Sequence, residues 1–334
     1  MPRSRVTIRD VAARAGVSHQ TVSRVINDNE RVASGTRKRV EAAIRELKYS
    51  PNAVARSMAR GRTSLLACFS PTLIDFTYAS IIEAAETEAR RLGYFLITAS
   101  APDVESFSIL VEQLLHSRRA EGALVIAPYL DARHARLPRS IPTVFVASEP
   151  DKRGALSVCL DEPKAGFTAT SHLLELGHRQ ILHITGPMIE DCSRHRLDGY
   201  QQALKEASIR FDPGLVVEGD WSATAGYQIV QQLRQIGRQF TAIFAQNDRM
   251  AVGAIRALRE AGERVPEDMS VIGFDDMPLA SYFDPPLTTM RQDLTFIGSE
   301  AARLLIRQVE EPGARFEKIS PDAELVLRST TARR

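Results

Sequence analysis

Ile8, Val11, Ala12 and Ala15 recur at helical spacing and give the start of the chain one apolar face. Thr7 just ahead of them suits a helix N-cap, with Asp10 three residues on as the reciprocal acid. Gly16 follows, where a helix ends in a left-handed residue. Val17 then plugs a corner and Ser18 caps a second helix, which turns Val22, Val25 and Ile26 inward. His19, Gln20, Thr21 and Arg24 remain on its early, outward face. Two short helices around a tight turn can set such residues in the DNA major groove. A helical hairpin with no ligand is the plainer reading of the same pattern. Thr36 to Leu47 reads as a third helix, with Val40, Ile44 and Leu47 facing the first two.

Tyr49-Ser50-Pro51-Asn52 breaks the pattern. Asn52 to Arg60 allows only a very short helix, which is marginal in water unless docked. From Leu65 the period changes. Apolar runs LLACFS, YFLITAS, GALVIA, TVFVA, ILHIT, AIFAQ and SVIGFD alternate with amphipathic segments such as SIIEAAETEARRLGY and GFTATSHLLELGH. Gly93 and Gly177 sit at expected helix C-caps. This alternation predicts an α/β fold of parallel sheets covered on both faces by helices. In such sheets, ligands bind beyond the carboxyl ends of the strands.

A chain of 334 residues suits two or three domains, and 44% apolar with 25% charged residues is ordinary globular composition. No stretch approaches the ~20 apolar residues of a membrane span. MPRSRVTIRD lacks the apolar core of a secretory signal, which predicts a cytoplasmic protein. Cys68, Cys159 and Cys192 are far apart and read as reduced thiols, Cys68 in a buried strand. Charge changes the picture most. Residues 1–62 hold 14 basic and 5 acidic residues, and the remainder holds 29 and 36. A basic head on an acidic body is expected when one segment neutralises phosphates. The TRKR opening of the third helix is disfavoured by the helix dipole, and phosphate contact would compensate.

TIRDVAARAGVSHQTVSRVIN, followed by TRKRVEAAIRELKYSPNAVARSM, resembles the headpiece and hinge of the LacI/GalR family of bacterial transcriptional repressors. The resemblance continues to the end of the chain. It implies a helix-turn-helix headpiece over 1–50, a hinge helix over 51–62 and an effector-binding and dimerisation domain over 63–334. The last is expected to be two doubly wound parallel-sheet subdomains of the periplasmic-binding-protein type. One spans about 63–161 and 292–323, the other about 162–291 and 324–334. The resemblance assigns DNA contact to Thr7, Ser18, His19, Gln20, Thr21, Ser23, Arg24, Asn27 and Tyr49, and in the hinge to Asn52, Ala55, Arg56, Met58 and Arg60. The family's usual hinge leucine, which wedges into the minor groove, is Met58 here.

For the effector the resemblance points to Arg196, Trp221, Asn247, Asp275 and Gln292 in the second subdomain and to Thr72, Asp75, Phe76 and Tyr78 in the first. Asp248 reads as a helix cap and Asp276 as a supporting acid. Planar polar groups match paired hydroxyls, and aromatic faces match the C–H side of a sugar ring. Taken singly, Trp221 suits a core and Asp275 a turn; their joint occurrence at successive strand ends is what makes a site. Where many relatives carry an acid, this chain has Ala147, with Ser148 and Glu149 beside it.

These residues predict a dimeric, sugar-responsive repressor of pseudo-palindromic operator DNA. The competing readings are a purine-responsive co-repressor of the same family and a transport-type solute-binding protein, which the basic headpiece opposes. Glu190 and Trp221 tilt the first choice toward a sugar. No cofactor or metal is expected: His172, His178, His183 and His195 lack ligand spacing. Enzymatic signatures are missing too, with no G-x-S-x-G elbow, Walker lysine loop or G-x-G-x-x-G after a strand. The C-terminal ELVLRSTTARR carries no leucine heptads, so a dimer rather than a tetramer is expected. The charge asymmetry makes one direct prediction: operator affinity should fall steeply with salt in titrations at several ionic strengths. A flat dependence would count against DNA binding altogether.

Overall fold

The computed structural model describes residues 6–26, 32–49, 62–126, 132–147 and 156–334. The chain divides into two compact units, Met1–Thr63 and Ser64–Arg334. In the first, α1 (Ile8–Ala15), α2 (His19–Ile26) and α3 (Ser34–Glu46) pack around Val11, Val22 and Val40. Thr7 and Asp10 form the reciprocal cap, with the Thr7 N–H on Asp10 Oδ2 at 2.7 Å and the Asp10 N–H on Thr7 Oγ1 at 3.4 Å. Gly16 ends α1 at φ +64°, and Ser18 Oγ accepts the Thr21 N–H at 3.1 Å. The third helix starts at Ser34, earlier than its apolar pattern, because Ser34 and Gly35 carry no periodic signal.

The second unit holds two sheets. The strands of one are β1 (Leu65–Ser70), β2 (Phe95–Ser100), β3 (Gly122–Ile126), β4 (Thr143–Val146) and β5 (Leu156–Val158). Their order is β2-β1-β3-β4-β5 and every pairing is parallel. The other sheet is built from β6 (Ile181–Thr185), β7 (Val216–Glu218), β8 (Ala242–Ala245), β9 (Ser270–Asp275), β10 (Thr288–Arg291) and β11 (Glu324–Val326), in the order β11-β10-β9-β8-β6-β7. Its last pairing, β10 with β11, is antiparallel, which the alternation of runs did not predict. The chain reaches β11 from Ile319, itself bridged to Val158 of the first sheet. Strands β5, β7, β10 and β11 are short and mix apolar with polar residues (LSV, VVE, TTMR and ELV), so no apolar run announces them.

The covering helices include α4 (Phe76–Arg91), α5 (Val104–Val111), α6 (Glu162–Glu175), α7 (Asp191–Glu206), α8 (Ala223–Gln235), α9 (Asp248–Glu260) and α10 (Leu294–Glu310). Helices α4 and α6 start before their amphipathic stretches because Asp75 and Asp161 cap them, accepting the Thr77 and Lys164 N–H groups at 3.0 Å. Although α10 follows β10 in sequence, its Ile297, Ala301 and Leu305 pack with Leu66, Leu124 and Val144 of the first sheet. The chain therefore passes between the sheets three times: after β5, after β10 and before β11. Among the described residues no helix is long and apolar enough to cross a membrane.

One crossing positions the site. Helices α6 and α7 touch at two glycines: a Cβ on Gly199 would lie 2.0 Å from the Pro163 carbonyl oxygen, and one on Gly166 2.3 Å from that of Arg196. Only this approach brings Glu162 of α6 against Arg196 of α7. Gly199→Ala must spread the helices, and overpacking of this kind costs about 1–3 kcal/mol. The expected outcome is a lowered unfolding midpoint for this unit, read by circular dichroism.

Candidate functional site

In the headpiece, His19, Gln20 and Arg24 are exposed on the outer side of α2, Ser18 caps it, and Thr21 and Ser23 are half-buried. The hydroxyl of Thr7 is engaged with Asp10, and Tyr49 packs against the headpiece core. Asn27, Asn52, Ala55, Arg56, Met58 and Arg60 lie outside the described residues.

In the second unit a cavity of about 330 Å³ opens at the carboxyl ends of both sheets. Eight of the nine expected effector residues line it: Thr72, Asp75 and Tyr78 after β1, Arg196 on α7, Trp221 after β7, Asn247 after β8, Asp275 at the end of β9 and Gln292 after β10. Phe76 does not; its ring packs on the core of the first sheet. Ala147 lines the wall at φ +62°, while Ser148 and Glu149 lie outside the described residues.

Arg196 is buried and clamped. Its Nε and Nη2 donate to the two carboxylate oxygens of Glu162 at 2.6 and 3.1 Å, and Nη1 donates to the Gln246 carbonyl at 2.7 Å. The guanidinium lies 3.5 Å over the Phe274 ring. Burial alone would lower its pKa, but Glu162 overrides this and the charge is held. Gln246 is a second clamp, missed in the sequence: its Oε1 accepts the Gly186 N–H and its Nε2 reaches the Ser193 carbonyl and His183 Nε2. Burial pushes His183 down to about 3, so it is a neutral core ring stacked on Tyr200 rather than a ligand.

The helix-cap expectation for Asp248 is corrected. Asn247 is the N-cap of α9, its Oδ1 accepting the Met250 N–H at 2.8 Å while its Nδ2 donates to the Trp221 carbonyl at 3.0 Å. Asp248 is instead buried at the first helical position, accepting from Thr289 Oγ1 and the Met277 N–H. Burial pushes its carboxyl up to about 7. Asp275 sits at φ +103°, an uncommon backbone for a residue with a Cβ, and accepts from Gln292 Nε2 at 2.7 Å. Burial raises its carboxyl well above the usual range against the pull of Arg196. Asp276 is tied to Arg291 and Arg328, a supporting acid as expected.

Two contacts cross the cavity. Trp221, the only tryptophan in the chain, lies on the backbone of Gly186 and donates its indole N–H to Glu190 Oε1 at 3.1 Å. Tyr78 Oη, from the other sheet's side, donates to Glu190 Oε2 at 3.4 Å. Burial raises the Glu190 carboxyl, while these two donors hold it down. Asp75 is likewise paired with Arg249 of α9. Glu162, Gln246 and Arg249 were not legible as site residues, because each acts through a partner distant in sequence. No His, Cys, Asp or Glu group among the described residues could hold a metal ion.

Residues 7–52 match the family described as bacterial regulatory proteins, lacI family, and residues 170–331 a periplasmic binding protein-like domain. The HTH-type transcriptional repressor PurR of Vibrio atlanticus (strain LGP32) is 33% identical over 331 residues, covering 97% of this chain and 98% of PurR. This chain belongs to the LacI family. Its members are transcriptional regulators, and as one of them this protein is a DNA-binding repressor. The solved lac repressor dimer, bound to operator and the anti-inducer ONPF, superposes with a TM-score of 0.91 at 34% identity, covering 98% of this chain and 100% of that one. The complex of the transcriptional regulator CelR with cellobiose gives 0.76 at 31% identity, with the same coverage.

The buried pair makes a stability prediction for this repressor. Glu162→Ala would leave the Arg196 charge buried without its carboxylate, a loss of about 3–5 kcal/mol. A lowered thermal midpoint should report it.

Proposed function

We propose that this LacI-family repressor binds a small neutral ring compound in the cavity, and that a sugar acting as inducer is the class its walls suit best. The observation that carries this reading is the indole of Trp221 beside the carboxylates of Glu190 and Asp275. A sugar offers C–H faces to an aromatic plate and many hydroxyl donors to carboxylate acceptors. Arg196 and Asn247 have spent most of their donors inside the protein, so the acceptors dominate what remains.

The second reading is a purine-type co-repressor. The curated relative named PurR supports it over a sugar, and on relatives' names it is the better supported of the two. Trp221 and Tyr78 could stack on a base as readily as on a sugar. The wealth of carboxylate acceptors, against the few N–H donors of a purine, favours the sugar. Cellobiose in the CelR complex points the same way.

Two headpieces reading a pseudo-palindromic operator require a two-fold dimer, the state in which the lac repressor was solved on its operator. An effector that touches the Thr72–Tyr78 segment and the Arg196, Trp221 and Asp275 side together would favour one arrangement of the two sheets. The control it exerts equals its differential affinity for the two states.

Calorimetry with neutral sugars, purine bases and nucleosides, followed by operator titration with each binder, tests both readings. A sugar should bind and weaken operator affinity; a purine that binds and strengthens it would replace the first reading with the second. Asp275→Ala should abolish the response to the binder while leaving operator affinity unchanged. Loss of unliganded operator binding in that variant would sink the assignment.

A further inference from the structure

The wall of the cavity is unbalanced in charge. Among the described residues it carries five carboxylates, Asp75, Glu162, Glu190, Asp220 and Asp275, against two guanidiniums, Arg196 and Arg249. Both guanidiniums are already committed, to Glu162 and Asp75 respectively. Among the described residues Glu190 forms no ion pair; its oxygens rest on an indole N–H, a phenol and the Cys192 thiol. Asp220 accepts the Ser222 N–H, which lowers its pKa and keeps it ionised at the cavity mouth.

Anions in α/β folds are held at helix N-termini, where free N–H groups and the helix dipole converge. Four helices start at this cavity, and three of those starts are closed by the protein's own side chains. Asp75 closes α4, accepting the Thr77 N–H at 3.0 Å. Ser222 Oγ closes α8 on the Ala225 N–H at 3.0 Å, and Asn247 closes α9. Glu190 precedes α7 without capping it: its carboxylate accepts no helix N–H and lies instead on Trp221 and Tyr78, facing the cavity.

We infer that the cavity rejects anions, with Glu190 as the residue that sets this selectivity, so that the effector is an unphosphorylated compound. Free sugars and free bases or nucleosides pass; sugar phosphates and nucleotides do not. The inference rests on the cavity being the effector site, but it is indifferent to the choice between sugar and purine. A phosphate entering here meets like charges, and among the described residues the two guanidiniums of the wall are already paired with carboxylates. A like charge within hydrogen-bonding distance of a ligand disfavours it steeply in so enclosed a space.

The single tryptophan lets the charge of the cavity be read without knowing the effector. Trp221 is half-buried and faces the cavity, so ions that enter it quench its fluorescence. The full-length protein is titrated at about pH 8 with caesium and with iodide at matched ionic strength. Each quenching constant is normalised to free tryptophan. Caesium should exceed iodide by about threefold or more, and Glu190→Gln should cut that ratio by about half. Iodide quenching equal to caesium's, or a ratio that Glu190→Gln leaves unchanged, overturns the proposal.

A second arm compares glucose with glucose 6-phosphate, galactose with its 6-phosphate, and adenosine with its 5′-monophosphate by calorimetry. A phosphorylated member binding as tightly as its parent also overturns it. If no compound binds while the quenching ratio holds, the choice of effector classes fails and the anion-rejecting cavity stands.

Discussion

The ion pair between Arg196 and Glu162 is the constraint around which the effector cavity is organised. It joins α6 to α7, and through the Gln246 carbonyl and the Phe274 ring it reaches β8 and β9 as well. Two charges out of water are costly unless their geometry is good and their remaining donors are satisfied. Here the bidentate contact, the carbonyl and the aromatic face meet that condition. Gly166 and Gly199 are the steric precondition, since any larger side chain at either would hold the two helices apart. A clamp of this kind fixes one arginine with little freedom, which suits a wall that must present the same shape to each arriving ligand.

The polar groups around the cavity serve folding and recognition together. Asp75, Ser222 and Asn247 cap helices, Asp275 holds Gln292, and Glu190 ties Trp221 to Tyr78. Capping satisfies helix N–H groups that would otherwise remain open. The same contacts close the positions at which phosphates bind in many α/β proteins. A ligand must then be recognised by what is left over, chiefly carboxylate oxygens and two aromatic rings.

Much of this architecture was legible in the chain. The Thr7–Asp10 cap, Gly16 and the inward Val11, Val22 and Val40 were readable because they are local: each signal lies within four residues of its partner. Strands such as β1, β3, β4 and β8 were readable because their residues are almost all apolar. Strands β5, β7, β10 and β11 were not, and the antiparallel β11 followed from a chain path that no local pattern carries. Of the expected effector residues, those at strand ends line the cavity, since strand ends are where such sheets keep their ligands. Phe76 packs on the core of the first sheet and does not line the cavity.

The exchange of roles between Asn247 and Asp248 marks the boundary between the two kinds of information. Either residue type suits a helix start, and local sequence ranks them equally. The choice depends on what surrounds them: Thr289 and the Met277 N–H claim Asp248 from one side, and the Trp221 carbonyl claims Asn247 from the other. Sequence alone determined the basic headpiece, the alternation of helices with the more apolar strands, the family and the set of strand ends that could form a site, because these rest on periodicity, caps and charge counted along the chain. Tertiary structure alone decided which carboxylates are neutralised and which stand unpaired, because Glu162, Asp75 and Glu190 differ only in the partners that folding brings to them.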